Sequence, residues 1–361
     1  MSVKNSDLLD LVASTLPDLP SQDLEVAWDD PEYEWTRIMQ KERMEVDGGT
    51  TIDRYLMLDP TGNASYCRAY DTDNPTVGNV LKKISVPWTR LKTSYSWDVF
   101  EILQNKNSAK GFINLLQTKR IDGLWALAKL IEERAWIAPT SVSDDLYPYG
   151  VAYYLNMLDA GATTAGFNGQ TIRYQDGTTG TVCAGLDASL NPKWKNYAAL
   201  YTAIDNAFLR SFRLAFMATK FKAPIIINDP SQKGYGQRRI YTGMEKVVDL
   251  QALADARDDN HSGNDVLGNI KIGEDATVYI NRLPVYHIAE LDSATYSPVY
   301  TIDFGFFKPF VHSDYWMKET EPMSGGVSQH TAMTVFLDGA HNNLCKNRRR
   351  AGFVMHTAIP A

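Results

Sequence analysis

Residues 107–136 set the first limit on what this chain can be. Phe112, Leu116, Leu124, Leu127, Ile131 and Ala135 recur at helical spacing, while Lys110, Asn114, Gln117, Asp122, Lys129, Glu132 and Glu133 fill much of the other side. Asn107 or Ser108 can cap the start, and Pro139 lies beyond the end. At 1.5 Å per residue such a helix runs about 45 Å. That is long for a compact domain and suits a structural spine.

The text before this helix lacks material for a core of its own. Residues 50–59 and 80–98 read as two strands, with alternation in Ile84, Val86 and Trp88 and again in Tyr95 and Trp97. Between them, residues 60–79 are rich in Gly, Pro, Asn and Asp, a long loop tip. Together they predict an extended two-stranded ribbon, which is marginal alone in water. The first 50 residues hold 12 acidic and 4 basic residues, whereas the rest hold 31 and 32. This acidic arm opens on a short helix capped by Ser6, with an apolar stripe of Leu8, Leu9, Leu11 and Val12 that Pro17 and Pro20 end. Trp28, Tyr33 and Trp35 follow as scattered aromatics. An arm with anchors and no core is expected to lie on another surface, and sister copies can supply it.

After the helix the chain mixes elements. Residues 140–200 predict loops and short strands, 203–221 and 243–257 helices, and 223–228 a buried strand; the last hundred residues alternate and turn like a sheet. Strands, a helical middle and closing strands make an α+β protein.

Composition excludes several function classes. With 44% hydrophobic and 22% charged residues the chain has globular balance, so disorder through most of it is not expected. A net charge of -7 is wrong for a protein that grips DNA by its phosphates, so any nucleic-acid contact should be loose and local. Cys67, Cys183 and Cys345 are odd in number and far apart, which argues against a disulfide framework or a zinc cluster. No stretch approaches the ~18 apolar residues of a membrane span, and the start does not read as a signal peptide.

Searches for chemistry return little. There is no phosphate-binding GxxxxGK[ST], and Gly234 with Gly236 reads as an ordinary turn. Ser324 lacks a nucleophile elbow and reads as a flexible loop. His261, His287, His312, His330, His341 and His356 have no metal-ligand spacing and read as structural or interfacial. Asp71 and Asp73, or Asp255, Asp258, Asp259 and Asp265 with Gly263, could attract calcium, but neither set fits a calcium loop and solvated turns are favoured. No metal, cofactor or catalytic residue is assigned. Lys346, Arg348, Arg349 and Arg350 form the one strong basic run. Pairing with acidic residues of a neighbouring copy, or a solvated turn, is favoured over a genome-facing patch, because no aromatics interleave and the arm offers counter-charge.

The order of these elements resembles the coat-protein fold first described for a Hong Kong lambdoid phage, shared by tailed phages and encapsulins. The local text resembles one group of phage major capsid proteins: AYDTDNPTVGNVLKKISVPWT (69–89), EERAWIAP (132–139), FNG (167–169), PKWKNYAALYT (192–202), PVYTIDFGFFKPFVHSDYWMKETEP and QHTAMTVFLDGAHNNLCKNRRRAGFVMH. The resemblance implies an N-terminal arm (1–49), an extended loop or β-ribbon (50–98), a peripheral domain with the spine helix (99–149), an axial domain (150–270) and closing strands shared between the two domains (271–361). It implies a structural subunit, not an enzyme, that self-assembles into hexamers and pentamers of an icosahedral head enclosing double-stranded DNA. Expected partners are other copies, a scaffolding protein, a portal and a decoration protein, with no membrane; the place is the virion, assembled in the host cytoplasm.

The resemblance lays the ribbon tip around Arg68, Asp71 and Asp73 on a neighbouring subunit. It puts Glu132, Glu133 and Trp136 in the peripheral domain, to which Arg348 and Arg349 return. Candidate intersubunit contacts are then Trp28, Tyr33, Trp35, Arg68, Asp71, Asp73, Glu132, Glu133, Arg348 and Arg349. Two departures from the best-known member stand out. No long scaffolding segment precedes the ribbon, so either a separate scaffold assists or a leader has been cleaved. For that member's lysine–asparagine cross-link, Lys82, Lys83 and Asn343 are available but unmarked as a pair. A nanocompartment shell of the same fold is an alternative. So is a carbohydrate hydrolase, whose groove the 19 Tyr and 8 Trp could line.

Overall fold

The computed structural model describes residues 33–360 except 61, 73–75, 79, 105–108, 160, 163, 221–236, 259–269, 273–276 and 326–330. The expected helix over 6–12 and the expected strand at 223–228 lie outside the described residues.

Two sheets and the spine helix organise the molecule. The helix spans Ala109–Trp136 and lies across the strand Thr89–Asp98, where Thr93 Oγ1 donates to the Gly123 carbonyl. That strand pairs antiparallel with the long strand Ala332–Cys345 along its whole length, from Thr89 opposite His341 to Asp98 opposite Ala332. On the far side, the same long strand pairs with Phe307–His312, which in turn carries Met44–Val46 in parallel. Alternation along Thr89–Asp98 points Leu91, Thr93, Tyr95 and Trp97 inward and Arg90, Lys92, Ser94 and Ser96 to water, as expected of a sheet with one covered face.

The second sheet has eight strands, and its centre is Arg238–Thr242, Val299–Asp303, Gly352–His356 and Asn196–Leu200 in spatial order. Elements from the middle of the chain thus share one sheet with its last strands. The helix Asn206–Thr219 packs on it through Phe208, Leu209, Phe212 and Ala215, and Asp205 caps its start by accepting the Phe208 N–H at 2.9 Å. Gly352 begins the last strand at φ +150°, and a Cβ there would stand 1.8 Å from the Thr301 carbonyl oxygen. Only glycine lets these two strands close.

Three expectations need correction. Residues 80–98 are not one ribbon strand. Leu81–Pro87 pairs with Thr51–Met57 as the ribbon, and after Trp88 the chain leaves it for the six-stranded sheet. Asn342 fixes this exit, donating from Nδ2 to the Pro87 carbonyl at 2.8 Å. Ser324 sits in a short strand, Met323–Ser324, paired with the long one, and not in an unstructured loop. The third correction concerns the arm. Residues 34–46 are part of the body: the helix Glu34–Glu42 buries Trp35, Ile38, Met39 and Glu42 at helical spacing, and Met44–Val46 adds a strand.

Candidate intersubunit interface

The ribbon is tied down at one end and bare at the other. At its base Ile52, Ile84 and Val86 are buried in the main core. Asp53 gathers Lys83 Nζ at 2.8 Å, Ser85 Oγ at 2.6 Å and Thr51 Oγ1 at 2.9 Å. Those partners, the Lys83 ammonium first, hold the Asp53 carboxyl down at about 2. The Ser85 N–H donates to the Ala184 carbonyl at 3.0 Å, and Trp88 Nε1 to that of Gly49 at 2.9 Å.

Outward, apolar side chains meet water. Tyr55 is 70% exposed, and Met57 and Leu81 are more than half exposed; Tyr66, Tyr70 and Val77 at the tip are fully exposed. The tip is nevertheless shaped. Asn63 and Thr76 exchange two hydrogen bonds across it, each 2.6 Å, and a tight turn closes where the Asp71 N–H donates to the Arg68 carbonyl at 3.2 Å. Arg68, Tyr70 and Asp71 all face solvent there. The tip thus holds Tyr66, Tyr70 and Val77 in water on a hydrogen-bonded frame.

Several expected contact residues are instead spent inside the subunit. Trp35 is 1% exposed and meets the edges of Trp136 at 5.3 Å and Phe307 at 5.9 Å. Tyr33 accepts the Trp125 indole N–H at 2.8 Å. Glu132 is buried; it accepts the Trp35 backbone N–H at 2.6 Å and the Trp136 indole N–H at 2.7 Å. Burial pushes its carboxyl up to about 7 against the pull of those donors. Glu133 stays half-buried, with Arg134 at 3.5 Å. Trp28 and Asp73 lie outside the described residues.

The basic run is no patch. Arg348 is fully buried at the start of a short helix. Its guanidinium donates to the carbonyls of Tyr154 and Trp194 at 2.8 Å each, to Asn196 Oδ1 at 3.0 Å and to the Gly169 carbonyl at 3.4 Å. It can face neither a genome nor a neighbour. Arg349 lies over the Phe167 ring at 4.2 Å and Arg350 over Phe306 at 4.2 Å. Lys346 is half-buried, and burial lowers its pKa. Of the buried acids of the arm helix, Glu42 finds Arg239 of the second sheet at 3.2 Å, while Glu34 pairs at 2.5 Å with Arg37 of its own helix. Sequence reasoning missed Arg239 because nothing in the text around Arg238 and Arg239 marks an acid 197 positions earlier as a partner.

Other sequence candidates are structural too. Asn343 is fully buried and donates to the Tyr149 carbonyl at 2.9 Å, so it is withdrawn from any surface cross-link. Cys183 and Cys345 are buried, and burial pushes the Cys183 thiol up to about 11. His356 accepts the Leu158 N–H at 3.1 Å. Among the described residues, no three His, Cys, Asp or Glu side chains are grouped to hold a metal, and no helix is long and apolar enough to cross a membrane.

With this geometry the chain was compared with known proteins. No family profile and no curated protein matches it by sequence. Solved structures do. The capsid asymmetric unit of cyanophage A-1(L) superposes with a TM-score of 0.63 at 14% identity, over 96% of this chain and 99% of that one. The chain has the tailed-phage capsid fold. A structure from Mycobacterium phage Bobi matches with a TM-score of 0.51 at 11% identity over the whole of both chains, and the capsid of a native GTA particle with 0.50 at 10% over 95% of each. At such identities it is backbone architecture that is shared. The matches run over nearly the whole of each chain, so the likeness is one of the overall fold.

Proposed function

We propose that this chain is the major capsid protein of a tailed phage, a structural subunit with no catalytic role. Copies assemble as hexamers and pentamers into an icosahedral head around double-stranded DNA. The observation that carries this reading is the ribbon tip, where Tyr66, Tyr70 and Val77 stand fully in solvent on a ribbon whose base is buried in the core. Covering one such side chain is worth roughly 1.5–3 kcal/mol. Repeated in every copy around a closed shell, modest contacts sum to a stable container.

In this reading the ribbon, with Arg68 and Asp71, lies on a neighbouring subunit. Residues 99–149 with the long strand form a peripheral domain, residues 150–270 with the last strands an axial domain, and the residues before Glu34 an arm. DNA is contacted loosely, consistent with the net charge of -7 and with an arginine run folded into the body. A scaffolding protein, a portal and a decoration protein are the partners such a head needs, and the virion is its place after assembly in the host cytoplasm. Velocity sedimentation and negative-stain microscopy of the full chain, with and without a co-expressed scaffold, test it. Capsomers or polyhedral particles are expected; only monomers at high concentration under both conditions would overturn it.

A further inference from the structure

Two helices on one side of the eight-stranded sheet turn apolar side chains into water. The helix Asn206–Thr219 lies over Asn196–Leu200 and Gly352–His356, and a second helix, Met244–Asp258, lies over Val278–Ile280 and Leu283–His287. Their inner faces share one core, through Phe208 and Phe212 of the first and Leu250 and Ala254 of the second. The strands Arg238–Thr242 and Val299–Asp303 run between the two seats. At about 4.8 Å per strand this holds the helices apart, and their outer faces do not cover one another within a subunit.

The two outer faces are opposite in charge. Arg210, Arg213, Leu214 and Met217 share one exposed face of the first helix, and Met244, Glu245, Val248 and Asp255 share one of the second. Leu214, Met217, Met244 and Val248 are each more than half exposed. Among the described residues, no ion pair engages Arg210, Arg213 or Asp255. Glu245 and Asp249 share a single cation, Lys246, at 3.2 and 3.0 Å, so the second face keeps its negative sign.

We infer that the first face of one copy docks antiparallel on the second face of the next copy. The inference rests on the reading that copies of this chain assemble, and it names the surfaces that meet. The first face on itself would set arginines against arginines, and the second on itself acids against acids, which like-charge repulsion opposes. The first on the second joins apolar to apolar and cation to acid. Direction follows from order along the chain. The arginines precede Leu214 and Met217, whereas Asp255 follows Met244 and Val248. With the helices antiparallel, Leu214 comes opposite Val248 and Met217 opposite Met244, and Arg210 and Arg213 reach towards Asp249 and Asp255. With the helices parallel and the same apolar side chains matched, the arginines would run off the start of the second helix. Because two different patches meet, the contact is head-to-tail, the kind that closes a ring of copies when the rotation fits.

Disulfide trapping with oxidised glutathione tests the contact on the full chain, in a Cys67→Ser background that removes the exposed native thiol. Leu214→Cys subunits mixed with Val248→Cys subunits are expected to form covalent dimers about tenfold or more ahead of either variant alone, because docking raises the local thiol concentration. Arg210→Glu with Arg213→Glu in the Leu214→Cys chain should slow trapping about tenfold, as two surface attractions become repulsions. Glu245→Lys with Asp255→Arg in the Val248→Cys chain should restore it. All these positions are exposed, so unfolding midpoints should stay near wild type. Capsomers or particles that form without this disulfide would overturn the inference and leave the capsid reading standing. No assembly and no disulfide would overturn both. Trapping that ignores the charge changes, or Leu214→Cys dimers that form alone as fast as in the mixture, would overturn the inference as well.

Discussion

Glu132 caps the arm helix from another helix: its Oε2 accepts the backbone N–H of Trp35 at 2.6 Å, across 97 residues of sequence. First-turn N–H groups of a helix have no partner within it, and Tyr33, at the usual capping position, makes no side-chain cap. Its Oε1 meanwhile takes the indole N–H of Trp136, whose ring packs on Trp35. One carboxyl thus joins the spine helix to the segment that sequence alone assigns to a free arm.

That position makes stability fall with rising pH. Burial, reinforced by Glu34 and Glu290, raises Glu132 from 4.5 to about 7, so between those values the folded form keeps a proton that the unfolded chain has lost. The contribution is complete below about pH 4.5, declines through the interval and is gone above about 7; its size is on the order of a few kcal/mol. His341 works in the opposite direction. Burial lowers it to about 4, so its share of stability grows as pH rises from about 4 to 6.5. The wild-type curve alone is therefore not diagnostic. Thermal unfolding of unassembled Glu132→Gln should differ from wild type by an amount that changes with pH between 4.5 and 7, in favour of the variant at the upper end. Parallel curves would contradict the assignment.

Trp35 is the arm helix's largest contribution to the core. Trp35→Ala should destabilise the subunit by about 3–5 kcal/mol, since the ring fills space between Trp136, Phe304 and Phe307. Trp35→Phe should cost less. Urea unfolding of the unassembled subunit reads both, and a loss under about 1 kcal/mol for the alanine variant would show that residues 34–46 are not part of the folded body.

The sequence shows what repeats and hides what is joined at a distance. The spine helix was legible because its stripe recurs from Phe112 to Ala135, and the strands because alternation is local. Trp88 reads as one more inward residue of a strand; only the pairing of Thr89–Asp98 with Ala332–Cys345 reveals that the ribbon has ended. Trp35 reads as a scattered aromatic because the pocket that holds it comes from residues 136, 304 and 307. The run from 346 to 350 carries an even stronger local signal, and the signal misleads. Charge in sequence marks an exposed face unless the fold supplies acceptors, and the carbonyls around Arg348 come from residues 154, 169 and 194.

Arg348 and Arg349 should therefore behave as opposites. Arg348→Met leaves three carbonyls and the Asn196 amide oxygen without this donor in a buried site, at about 1–3 kcal/mol for each group that finds no substitute. The variant should be severely destabilised or insoluble. Arg349→Met loses chiefly a ring contact with Phe167, worth about 0.5–1 kcal/mol. Soluble expression and unfolding midpoints decide the matter; equal tolerance of both changes would mean that the buried cage is not formed.

The ribbon tip allows the cleanest separation of folding from assembly. Tyr66 and Tyr70 are fully exposed, so Tyr66→Ser with Tyr70→Ser should leave the unfolding midpoint of the isolated subunit almost unchanged, within about 0.5 kcal/mol. If a neighbour covers them, the same pair removes roughly 3 kcal/mol from each contact, about a hundredfold in association. The concentration at which capsomers or particles appear in sedimentation should rise steeply while the subunit itself stays intact. Unaltered assembly by the double variant would place the contact surface elsewhere and remove the observation on which the capsid reading leans most.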